Sequence, residues 1–258
     1  MKSSLARTDR ATILSVGHED GRNAVAALPS DLTAPESPVA SQAARLTSAM
    51  GSFNDNIAGN AARFQPDARG TANREAAAKI LAAPFQDLIG GGIAEGRAAA
   101  AAAANATAVD PGNAPLRAQT RDRFIAKDTA GQAAFAQRAS LEELAALMEA
   151  GRSYFDATPD PVWQIVEDQY AIKRHIARSG LQADFQRRPD ANNPMAFGAD
   201  EAAAMDAARN SLDALRNRVT TVDAVRNTVQ SIIDVVAVAT DLSRDQAYWL
   251  LTTGKVAE

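Results

Sequence analysis

Asp156, Thr158, Asp160, Val162, Gln164 and Glu167 fall at positions 1, 3, 5, 7, 9 and 12 of a calcium-loop template, the spacing at which oxygen ligands wrap a hard cation. The sixth position of such a loop must turn with positive φ. Here it is Pro161, whose ring holds φ negative, and Pro159 stiffens the segment further. The segment therefore reads as a turn and a helix N-cap, and no metal ligand is assigned. Gly91 and Gly96-Arg97-Ala98 have the spacing of a phosphate-binding loop but lack the lysine and the hydroxyl residue that hold phosphate and magnesium. They read as a glycine cluster that breaks a helix.

The chain has two histidines. His18 stands beside Glu19 and Asp20 in a segment expected to be a solvated tail. His175 falls near the C-terminus of an expected helix, among Lys173, Arg174 and Arg178. Cations there complement the helix macrodipole, and contact with an anion or phosphate is the alternative. No Ser/His/Asp order, His-Glu-x-x-His or Gly-x-Ser-x-Gly pattern is present. Zero cysteines exclude disulfides, thiolate metal sites and cysteine nucleophiles. Catalytic, cofactor-binding and metal residues are all assigned as none, no cofactor is expected, and the chain reads as a non-enzyme. Leu242–Leu251 faintly resembles the first helix of a helix-turn-helix, but Glu258 follows too soon for a recognition helix, so direct sequence-specific nucleic-acid binding is not expected.

The elements behind these residues are helical by composition and spacing. Of 258 residues, 46% are hydrophobic, but alanine dominates that figure and aromatics are only 5%. Alanine favours helix yet buries little area, so the core is thin and stabilisation by neighbours is expected. The net charge of -4 suggests neither a polybasic surface nor an acidic tail. Residues 1–38, with Pro29, Pro35 and Pro38, read as an extended arm that is floppy or orders on a neighbouring subunit. Helical spacing follows in Ala43, Leu46, Met50, Phe53 and Ile57, and Asn73 is placed to cap a second helix. That helix should kink or split at Pro84 and stop at Gly90-Gly91-Gly92. The alanine run 98–104 is expected to pack closely on another helix. Asp110–Pro115 is a loop by turn chemistry and the chosen domain boundary, giving an arm (1–38), an Ala-rich helical region (39–110) and a helical bundle (111–258).

In the last region, Ser140 with Glu143 and Ser243 with Gln246 are capping boxes, and Gly151, Gly180 and Gly254 are helix stops. Trp163, Val166 and Tyr170 form a core stripe, and each tryptophan is expected to anchor a packing centre. From Met205 to Val236, apolar or small residues recur in a/d heptad spacing. The interface is placed on Leu212, Leu215, Val219, Val222, Arg226, Val229, Ile233 and Val236, with Arg226 the charged interruption. One long helix, or two broken at Thr220-Thr221, should result; forty residues would run roughly 60 Å.

The expected fold is all-α: an elongated helical bundle with a long C-terminal heptad helix and an extended, poorly structured N-terminal arm. In composition, though not in any motif, such a chain resembles phage virion components such as connector, scaffold, internal or minor capsid proteins. The resemblance implies a structural assembly protein whose partners are further copies and other assembly proteins, located in a virion or the bacterial cytoplasm. The alternative is a cytoplasmic helical binding or regulatory module with one partner protein. No membrane span is expected, because the most apolar stretch, 231–239, is short and carries Asp234. Met1–Gly17 lacks the apolar core of a secretory signal.

Overall fold

A computed structural model describes residues 1–179 and 185–256. The chain divides into two compact units, one of Met1–Ala98 with Arg218–Glu258, the other of Ala99–Asn217. The segment Asp110–Pro115 lies inside the second unit; it is a loop through Asn113, and its last two residues open a helix. The described residues hold nine α-helices: α1 Ala40–Arg63, α2 Pro66–Ile80, α3 Ala82–Thr107, α4 Ala114–Ile125, α5 Thr129–Arg138, α6 Leu141–Ala150, α7 Asp160–Ser179, α8 Glu201–Thr240 and α9 Arg244–Thr253. None is long and apolar enough to cross a membrane. The heptad segment is a single helix of 40 residues, unbroken at Thr220-Thr221.

The fold is mostly helical but not all-α. The expected N-terminal arm is instead an antiparallel meander of β1 Lys2–Arg7, β2 Ala11–Gly17 and β3 Asn23–Pro29, in the order β1-β2-β3. Leu5 pairs with Leu14, and Leu14 with Ala26; Val16 pairs with Ala24, and Thr12 with Leu28. This period-2 register puts Leu14, Val16, Ala26 and Leu28 on one buried face. Helix α1 meets it: Ser3 Oγ donates to the Asn54 carbonyl at 3.3 Å, and Leu5 packs over Gly51. An isolated small sheet is marginal in water, so cover from α1 and α8 is what orders these residues. The local signals were Asp20-Gly21 at the β2–β3 turn, with Gly21 at φ +94°, and the alternation around Ile13–Val16. Trypsin should therefore spare the sheet and cut first after Arg187, exposed in the loop before α8; the next bond, Arg188-Pro189, resists the protease. Fragment masses check this, and early loss of residues 1–29 would contradict a packed sheet.

Within the first unit, α1 buries Leu46, Met50, Phe53 and Ile57 as its spacing predicts. They join Phe85 and Leu88 of α3, Ile232, Val235 and Val236 of α8, and Leu250 and Leu251 of α9. Pro84 splits the helix as expected. The break falls at Leu81, and Pro84 enters the first turn of α3, where its missing N–H costs nothing. The glycines 90–92 do not stop α3, which continues to Thr107. They serve close packing instead: a Cβ at Gly92 would lie 2.7 Å from Val225 Cγ1, and one at Gly96 3.7 Å from Val222 Cγ1. Packing against α8 offsets the propensity cost of glycine. One turn away Glu95 is buried, with Arg218 Nε 2.6 Å from its Oε1 but poorly aligned for a hydrogen bond.

Asn73 does not cap a helix N-terminus. It sits buried in the middle of α2, where its amide donates to the Ala239 carbonyl at 2.7 Å and accepts from Asn60 at 2.9 Å. Arg74 donates to the Thr240 carbonyl at 2.9 Å. Together they satisfy carbonyls that the last turn of α8 leaves open.

The second unit is organised around aromatics. Phe124 of α4 meets Phe135 of α5 edge-on at 5.8 Å and Phe155 at 5.4 Å, while Phe155 stacks on Trp163 of α7 at 5.5 Å. Val166 and Tyr170 continue the stripe inward. Trp163 thus anchors a packing centre as expected; Trp249 of α9 does not, being 41% exposed beside exposed Tyr248. Both capping boxes are formed, and Gly254 ends α9 in the left-handed region. The stop expected at Gly180 lies outside the described residues.

Candidate functional site

The residues that first suggested chemistry are engaged structurally. Asp160 Oδ1 lies 2.9 Å from Arg152 Nη2, and Glu167 accepts the Trp163 indole N–H at 2.8 Å. No group of three or more His, Cys, Asp or Glu among the described residues is arranged to hold a metal ion. His18 is not a tail residue. Its Nδ1 is 2.9 Å from Asp20 and its Nε2 3.3 Å from Asp241, with Arg22 bridging the same two carboxylates. The backbone N–H of Arg22, then its guanidinium, hold the Asp20 carboxyl down to about 2. This cluster ties the β2–β3 turn to the end of α8.

The heptad positions fare unequally. In the first unit Ile233 and Val236 are buried in its core, Val229 packs against that core, and Val222 lies over Gly96. Val219 is 47% exposed. Arg226 points to solvent and pairs with Asp223 at 2.7 Å, one turn back on the same helix. In the second unit Leu212 and Leu215 are half-buried, whereas Ala204 and Ala208 are buried. The buried face near the C-terminus of α8 is wider than the predicted seam: Val225, Thr228, Ile232, Val235 and Ala239 are buried alongside Ile233 and Val236. Thr228 donates from that face to the Ala27 carbonyl at 3.2 Å, covering part of the β3 edge.

A second feature was not predicted as a site. In the second unit a cleft of about 270 Å³ is lined by Asp110, Arg117, Glu142, Tyr170, Arg174 and Arg178, with small apolar residues between. Helix α4 supplies Arg117, α6 supplies Glu142, and α7 supplies Tyr170, Arg174 and Arg178 from successive turns. Arg117 is almost completely buried and fully used: Nε and Nη2 donate to Glu142 at 2.9 and 3.2 Å, Nη1 to Glu149 at 3.1 Å, and Nη2 also to the Asp110 carbonyl at 2.9 Å. These contacts raise the Arg117 pKa and lower that of Glu142. Tyr170 donates to the Ala108 carbonyl at 2.7 Å and accepts from Arg174 Nη1 at 2.8 Å; burial pushes its phenol up.

The basic end of α7 was visible in the sequence, but its members have different tasks. Lys173 donates to the Ala139 carbonyl, Arg174 is buried, Arg178 is exposed at the cleft, and His175 is half-buried. Arg117 was missed. Its signal was an arginine at helical spacing with Thr120 and Phe124, on the face that α4 buries. Together the fold and cleft define a mostly helical, two-unit protein with a small cationic pocket. Comparison with protein-family models, with curated proteins and with solved structures returns no match.

Proposed function

We propose that this chain is a non-enzymatic structural or assembly protein that works through helix contacts with further copies or other assembly components. A phage virion, with the chain as a connector, internal, scaffold or minor capsid component, is the setting its alanine-rich composition fits. The observation that carries this reading is Val219, 47% exposed on α8 within a heptad-spaced apolar series. Half-buried Leu212 and Leu215 earlier on the same helix support it. Partly open apolar positions at this spacing suit knobs-into-holes contact with another helix. The native mass of the full chain tests the reading. A multi-copy species is expected, and Val219→Asp should shift it to monomer without loss of helical signal. A monomer at all concentrations, or an assembly indifferent to Val219→Asp, would refute self-assembly through α8. Exposed Tyr248 and Trp249 on α9 favour the second reading, a module with one partner protein, since such aromatics often anchor interfaces. In that case the chain stays monomeric alone, and a partner protects the indole of Trp249 from quenching.

A further inference from the structure

We propose that the cleft beside Arg174 and Arg178 binds a small ligand through a carboxylate or phosphate group. Arg174 is 3% exposed. Its Nη1 donates to Tyr170 and lies 3.5 Å from Asp110 Oδ2, while Nε and Nη2 are buried with no hydrogen-bond acceptor. Those two N–H groups form one edge of the planar guanidinium, the edge that matches two oxygens of a carboxylate or phosphate. A buried cation with open donors is costly unless an acceptor arrives.

Arg178 lines the same cleft one turn further along α7 and makes no ion pair among the described residues. Like charges at this spacing repel, and an anion between them turns repulsion into attraction. The helix macrodipole accounts for cations at the end of α7. It does not account for burying one of them with its bidentate edge unused. Arg117, saturated by Glu142 and Glu149, forms a wall of the cleft and does not compete for the ligand. The volume of about 270 Å³ suits a compact anion or small metabolite, not a polymer segment.

Asp110, 78% exposed at its side chain, is the protein's own carboxylate nearest Arg174. An incoming anion displaces it from Nη1, and the guanidinium then turns its open edge toward the cleft. The site stands independently of assembly through α8.

Calorimetric titration of the full chain with inorganic phosphate, and separately with succinate, tests the proposal at constant ionic strength against a chloride control. Saturable binding of at least one is expected. Phosphate alone identifies a tetrahedral group, succinate alone a planar one. Arg178→Ala should weaken binding about tenfold or more, the worth of a charge-assisted contact. Asp110→Asn should tighten it by removing the internal competitor. Both positions are exposed, so neither variant removes core packing. Absence of saturable binding by both probes, binding unchanged in Arg178→Ala, or binding weakened in Asp110→Asn overturns the proposal.

Discussion

Replacing Arg117 with alanine is expected to destabilise the unit of residues 99–217 by about 3 kcal/mol. The guanidinium is 2% exposed and joins α4 to two carboxylates of α6 and to the Asp110 carbonyl. Its removal loses these bonds, leaves the Asp110 carbonyl without this partner and opens a hole in the packing. Glu142 and Glu149 are about half exposed, at 48% and 44% of their side chains, so both return to water when the cation goes. That relief keeps the effect toward the low end for breaking a buried ion pair. Arg117→Lys should recover little, because an ammonium cannot fork onto Glu142 and still reach Glu149. Urea unfolding followed by Trp163 fluorescence in a Trp249→Phe background reads the change; a loss below about 0.5 kcal/mol, the range of ordinary surface substitutions, would deny Arg117 this role. The contact holds the Glu142 carboxyl below its usual range. Its stabilisation is therefore present at neutral pH and is lost as pH falls through that lowered value.

Gly92→Leu is expected to destabilise the first unit by about 3 kcal/mol or more, through overpacking. Even a lone Cβ at this position would lie 2.7 Å from Val225 Cγ1. That methyl belongs to a β-branched side chain held to one rotamer in a helix, so it cannot swing aside. Leucine adds further atoms where the first already collides. Gly90, two residues earlier in the same helix, has nothing within 4 Å of its would-be Cβ. Gly90→Ala should therefore raise stability by about 0.5–1 kcal/mol through helix propensity alone. Thermal melts of the two variants give opposite signs if the glycines differ as described. Equal shifts would show that Gly92 is not a packing contact.

Helix boundaries were largely legible because their determinants are local. Ser140 with Glu143 and Ser243 with Gln246 each satisfy backbone N–H groups within a few residues. Pro84 and Gly254 act through their own φ angles and needed no distant partner to be read. The core stripe of α7 was legible for the same reason, since periodicity belongs to a single helix.

The misreadings share the opposite property. Residues 1–38 looked unable to order because their own apolar content is small, yet the sheet borrows its cover from α1 and α8. Glycines 90–92 looked like a stop because glycine disfavours helix. Only the presence of Val225 against Gly92 shows that space, not flexibility, was required there. Asn73 looked like a cap and proved to be one for a different helix end, 166 residues away in sequence.

Sequence alone therefore determined most of the helices, the two capping boxes, the long heptad-spaced α8 and the basic end of α7. Each of these rests on interactions within a few turns of chain. The tertiary structure decided which face of α8 is buried, that the N-terminus is a sheet, and that Arg117, Tyr170, Arg174 and Asp110 converge on one cleft. Those outcomes depend on which side chains meet across long sequence separations, and on whether a polar group finds its partner there. Arg174 displays the difference: as a letter near a helix end it matched the macrodipole, and only its surroundings reveal two buried donors left open.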